Sequence, residues 1–146
     1  MPEFGKISNE KISECHADLQ LILNTAIRII DFSVIEGWRG EEEQNKFFKT
    51  GLSKSQWPDS KHNSSPSMGA DVVPYPIILR GRNVWKKENH GRFAYLAGII
   101  QTVAYSLYWQ NKTTHLIRWG GDFDNDTDIS NDRFLDLGHI ELYTVH

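Results

Sequence analysis

The chain has 146 residues, enough for one domain whose core needs no covalent staple. Sixteen lysines and arginines face 19 aspartates and glutamates, and with a net charge of −3 and no long basic run there is no electrostatic case for a nucleic-acid partner. The single cysteine, Cys15, excludes an internal disulfide and the usual thiolate metal sites; on the apolar stripe of a predicted helix it reads as an inert buried thiol.

The N-terminal segment Met1-Pro2-Glu3-Phe4-Gly5-Lys6 has no apolar run of the kind a signal peptide needs. From Ser8 onward Ile12, Cys15, Leu19, Ile22, Leu23, Ala26, Ile29 and Ile30 recur at helical spacing, with Ser8 or Asn9 as the expected N-cap. Residues 32–35 predict a short strand. Gly37, Trp38, Arg39 and Gly40 then turn the chain into a second helix, whose start at Glu41, Glu42 and Glu43 suits the positive end of the helix dipole and whose stop is expected at Gly51.

Residues 51–68 are Gly-, Ser-, Pro- and Asn-rich with few apolar side chains, which predicts a long loop; loops of that length in a compact domain are usually functional or disordered. Residues 70–73 predict a short strand closed by Pro74, Tyr75 and Pro76, and 77–85 a hairpin or extended turn. A long helix follows, with Phe93, Leu96, Ala97, Ile100, Ala104 and Leu107 on one face. Its stretch 93–111 lacks charged residues, but Gln101, Thr102, Ser106, Gln110 and Asn111 make it a central buried helix and not a membrane span. Residues 115–119 predict a strand, 120–135 an acidic loop and 139–143 a last strand. With no repeat, low-complexity tract or linker, the pattern predicts an α+β fold with helices packed against a small antiparallel sheet.

Three residues stand out chemically. His62 lies in Ser60-Lys61-His62, Asp71 follows Ala70, and His139 lies in Asp136-Leu137-Gly138-His139. Two imidazoles and one carboxylate are the protein ligands of a catalytic zinc, which keeps a fourth position for water and lowers that water's pKa to about 7. The other histidines, His16, His90, His115 and His146, read as surface or hydrogen-bonded residues.

These segments resemble the zinc peptidases that cut peptidoglycan stem peptides, the group of VanY-type D-alanyl-D-alanine carboxypeptidases and phage L-alanyl-D-glutamate endopeptidases. The matching motifs are serine-x-histidine, then an aspartate, then a C-terminal acid-x-x-histidine, met here in order by Ser60 to His62, by Asp71 and by Asp136 to His139. Gly37-Trp38-Arg39 followed by Gln44, Val73-Pro74-Tyr75, and Arg118-Trp119-Gly120-Gly121-Asp122 match the small phage enzymes further. One departure is length: eight residues separate His62 from Asp71 where the commoner pattern has six, which predicts a bulge around residues 64–67.

The resemblance implies one zinc peptidase domain over 1–146, with a hedgehog/D-Ala-D-Ala-peptidase-like fold and the zinc site at the sheet. It implies His62, Asp71 and His139 as zinc ligands and Asp136 as the general base that passes a proton to the leaving amine. It turns Arg39 towards the site, where a guanidinium can hold a substrate carboxylate or an oxyanion. Ser60 either hydrogen-bonds substrate or fixes the loop. Glu141, on the same strand face as His139, is placed to approach the metal or to anchor a neighbour.

Asp122, Asp124, Asp126, Asp128, Asp132 and Asp136 crowd fifteen residues. They resemble the opening of a calcium loop but lack the glycine and closing glutamate of an EF-hand, so a solvated acidic surface and a Ca²⁺ site both stand. The expected function is stem-peptide cleavage between L-alanine and D-glutamate by a monomeric phage endolysin, made in the host cytoplasm and acting on the wall after release. The rivals are D-alanyl-D-alanine carboxypeptidase activity and a catalytically silent zinc-binding module.

Overall fold

The computed structural model describes residues 1–76, 89–128 and 136–145. The elements in order are α1 (Lys6–Ser13), α2 (Ala17–Ala26), β1 (Phe32–Glu36), α3 (Glu41–Lys49), β2 (Gly69–Pro74), α4 (His90–Trp109), β3 (His115–Trp119) and β4 (His139–Thr144). The four strands form one sheet in the order β1-β2-β4-β3, and every neighbouring pair is antiparallel. The expected α+β architecture is the observed one.

The predicted first helix is two. The chain breaks between α1 and α2 at Glu14, Cys15 and His16, where Cys15 bridges to Ser67 and the Ser67 N–H donates to the Glu14 carbonyl. His16 restarts the helix by accepting the Asp18 N–H on Nδ1 at 3.0 Å. The apolar phase survives the break, so periodicity does not reveal it: Ile12, Cys15, Leu19, Ile22, Leu23 and Ala26 are all buried. Neither Ser8 nor Asn9 is the N-cap. Gly5 occupies that position, and Ser8 is buried within α1, where its hydroxyl accepts the Val34 N–H at 3.0 Å and ties α1 to β1. Ile29, expected on the helical stripe, lies beyond α2 and is exposed.

The second helix stops where expected, with Gly51 at a positive φ of 77° after the cap residue Thr50. Residues 51–68 form no helix or strand, and the segment predicted as a hairpin at 77–85 lies outside the described residues, as do 129–135 of the acidic loop.

Strand alternation divides the sheet into two faces. Ala70, Val72, Ile117, Trp119, Ile140 and Leu142 join the apolar core, which the sheet shares with α2 and α4. From α4 that core takes Phe93, Leu96, Ala97, Ile100, Val103, Ala104 and Leu107. The intervening residues belong to the opposite face, where register aligns Glu36 of β1 with Asp71 of β2, Asp71 with His139 of β4, and Glu141 of β4 with Arg118 of β3. No described helix is long and apolar enough to cross a membrane.

Candidate metal centre

Each of the three predicted ligands arrives from its own segment. Asp71 and His139 are directly opposed across β2 and β4, which brings their side chains together on one face. His62 comes from the loop before β2. There the Ser60 hydroxyl accepts the His62 N–H at 3.2 Å, Asn63 Oδ1 accepts the Ser60 N–H at 3.0 Å, and the His62 carbonyl accepts the Arg39 N–H at 2.8 Å. After His62 the chain runs through bends over 63–66 to Ser67, whose hydroxyl donates to the Gly69 carbonyl at 2.7 Å.

The ligand atoms converge. His62 Nε2 lies 3.2 Å from Asp71 Oδ1 and 3.1 Å from His139 Nδ1, and His139 Nδ1 lies 3.3 Å from Asp71 Oδ1. Zinc bonds of about 2.0–2.1 Å in a tetrahedron hold ligand atoms about 3.3–3.4 Å apart. The donor set and the spacing therefore fit that ion.

The remaining atom of each ligand is tied elsewhere. The Nδ1–H of His62 donates to the Gly37 carbonyl at 2.7 Å, leaving the Nε2 lone pair for a metal. On His139 the roles reverse: Nε2–H donates to Glu141 at 2.9 Å, which leaves Nδ1 as the nitrogen that holds a proton or, in its place, a metal. The Arg39 guanidinium stands 3.5 Å from Asp71 Oδ2. Such partners fix the tautomer and orientation of metal ligands. Glu141 thus anchors a neighbour, one of its two expected roles. The Gly37 carbonyl escapes sequence reading because a backbone acceptor leaves no side-chain signal.

The field at the centre is negative. Burial would lower the His139 pKa, but its bonds to Asp71 and Glu141, together with the charges of Asp71 and Asp136, push it up to about 10. Burial would raise Asp71, and the adjoining His62 and His139 instead hold it well below the usual carboxylate range. A group of carboxylates that binds a proton this firmly also attracts a cation.

Asp136 stands before β4, its N–H donating to the Gly120 carbonyl at 2.9 Å and its carbonyl accepting the His139 N–H at 3.0 Å. Burial, reinforced by the charge of Asp71, raises its carboxyl above the usual range against the pull of His139, His62 and Arg39. Arg39 is 5% exposed, stacked over Phe47 at 4.4 Å, with Nη1 donating to Gln44 at 3.0 Å and Nη2 3.6 Å from Glu36. Its buried Nε–H has no hydrogen-bond partner among the described residues.

All three ligand residues, Asp136, Arg39 and Ser60 line a cavity of about 860 Å³. Phe123 forms part of its wall, with its ring 5.9 Å from that of His139. In the acidic loop, Asp122, Asp124 and Asp126 bring carboxylate oxygens within 4.8 Å of one another. Asp122 also accepts the N–H groups of Asp126 and Thr127, at 3.2 and 3.0 Å, so the loop uses this carboxylate to hold its own turn.

An antiparallel sheet with a His–Asp–His group on its open face, a half-buried acid beside it and a cavity above is the arrangement of a candidate hydrolytic metal centre. A family model described as phage L-alanyl-D-glutamate peptidase matches residues 2–143, and the chain belongs to that family. It is therefore a peptidase of peptidoglycan. Among solved structures, the chain is similar to the Serratia marcescens L-Ala D-Glu endopeptidase ChiX, with a TM-score of 0.68 and 23% identity over 97% of this chain and 90% of that one, a likeness of fold. No curated protein sequence gives a significant match.

Proposed function

We propose that the chain is a zinc-dependent L-alanyl-D-glutamate endopeptidase acting as a phage endolysin. The observation that carries the zinc reading is the triangle of ligand atoms with edges of 3.1, 3.2 and 3.3 Å, opening on the cavity that holds Asp136. Family membership favours the L-alanyl-D-glutamate bond over a terminal D-alanine, and the half-buried acid beside the ligands favours an enzyme over a silent module.

His62, Asp71 and His139 would hold the ion, which would supply Lewis acidity and lower the pKa of a water at the site. Asp136 takes the proton of the attacking water and delivers it to the departing D-glutamate nitrogen; a carboxyl held above its ordinary range suits both transfers. Arg39 serves two ends. Its Nη2 steadies Asp71, while its guanidinium charge, at the cavity lining, stabilises an anionic oxygen of substrate or transition state. Ser60 fixes the turn that presents His62. In the endolysin reading the protein is made in the host cytoplasm and reaches the wall on release.

The test is hydrolysis of purified peptidoglycan, followed by the appearance of new amino groups. Activity should vanish on chelation and return with one equivalent of zinc. His139→Ala should lose both the bound zinc and the activity. Full activity after complete metal removal would refute the proposal.

A further inference from the structure

His16, Asp18 and His115 form a second group of metal-competent side chains, remote in sequence from the residues of the proposed peptidase site. They meet where the N-terminus of α2 packs beside the start of β3. His115 Nδ1 lies 2.7 Å from Asp18 Oδ2, an oxygen that also accepts the Thr114 N–H at 3.0 Å. His16 Nδ1 accepts the Asp18 N–H, so an unprotonated ring nitrogen already sits within the group. All three residues are half-buried, within reach of solvent ions.

The arrangement repeats features of the first centre. The rings of His62 and His139 are 5.0 Å apart at 61°, and those of His16 and His115 are 5.0 Å apart at 70°. In each pair one imidazole is hydrogen-bonded to a carboxylate, Glu141 at 2.9 Å in the first and Asp18 at 2.7 Å in the second. One ligand atom from each of His16, Asp18 and His115 lies within 4.8 Å of the other two. His115 Nδ1 and Asp18 Oδ2, 2.7 Å apart, sit closer than the ~3.3 Å between ligand atoms on a tetrahedral zinc, so they must part slightly to admit an ion.

We infer that His16, Asp18 and His115 form a second, weaker site for a divalent transition ion, zinc foremost, that staples α2 to β3. Two imidazoles and one carboxylate select such ions over calcium or magnesium, which require mostly oxygen donors. Binding through Nδ1 of His16 exchanges its hydrogen bond from the Asp18 N–H for a metal bond, which places the affinity of this site below that of the first centre. Because the ion bridges elements that meet only in the folded chain, it stabilises the native state by mass action.

The experiment is equilibrium dialysis of the zinc-loaded full chain against rising zinc, with metal analysis and a thermal melt at each step. Wild type should take up a second equivalent with a rise in Tm, while calcium and magnesium fill nothing there. His16→Gln and His115→Gln should each lose the second equivalent and the Tm rise, while keeping the first zinc and peptidoglycan hydrolysis. His139→Ala should keep the second equivalent, which separates this site from the peptidase reading. Should His115→Gln fail to fold, His16→Gln alone decides. Saturation of wild type at one equivalent, or a second equivalent that survives His16→Gln, overturns the inference.

Discussion

Glu141 shows how much of the centre depends on a side chain that does not touch the metal position. Its carboxylate holds His139 Nε2 at 2.9 Å and so dictates that Nδ1 is the free nitrogen. Removing such a partner typically weakens metal affinity by about 10–100-fold. Glu141→Ala should therefore lower zinc affinity by that order in a chelator competition, and Glu141→Gln, which keeps an acceptor oxygen, should lose less. Asp136 should behave in the opposite way: Asp136→Ala should keep its zinc and fold while activity falls by roughly 10²-fold or more, the scale of general acid–base catalysis. If zinc were lost in parallel, Asp136 would be structural. Residue-level chemistry was partly legible in the chain. Alternation from His139 put Glu141 on the correct face, and the order of His62, Asp71 and His139 named the converging trio. The Gly37 carbonyl on His62 and the pairing of Arg39 with Asp71 arise only when distant segments meet.

At the level of elements, close backbone approach decides where the acid stands. A Cβ on Gly120 would overlap the Asp136 carbonyl oxygen, and one on Gly121 would meet the Trp119 ring. Gly120→Ala should therefore displace the segment that carries Asp136. The expected loss is about 1–3 kcal/mol of stability, the usual cost of overpacking, with a fall in activity. Gly98 is the contrast: it lies inside α4, and a Cβ there meets nothing within 4 Å among the described residues. Gly98→Ala should raise stability by about 0.8–1 kcal/mol, the helix-propensity difference. Denaturant melts of the two variants should move in opposite directions. Element boundaries were legible where a local signal ends them, as at Gly51 and across residues 115–119. The split between α1 and α2 was hidden because Cys15 and Leu19 keep the helical phase across it, and its cause, the Ser67 backbone, lies some fifty residues away.

For the whole molecule, the division of labour follows from the sheet. One face is sealed by α2 and α4 in an apolar core, and the other gathers Glu36, Asp71, His139, Glu141 and Arg118 beside an open cavity. Rigid strands thus set the distance between two ligands, while loops bring the third ligand and the acid. The fold class was readable because period-2 and period-3.6 patterns alternate along the chain. The strand order β1-β2-β4-β3 was not, since pairing β2 with β4 depends on contacts across about seventy residues.

The central claim is that this cavity hydrolyses the bond between L-alanine and D-glutamate, and mass spectrometry of the fragments released from purified peptidoglycan by the zinc-loaded chain tests it most directly. The expected products are stem peptides with a new amino-terminal D-glutamate and glycan strands that retain L-alanine. Release of free D-alanine from intact stems, or no fragments at all from folded, zinc-loaded protein, would contradict it.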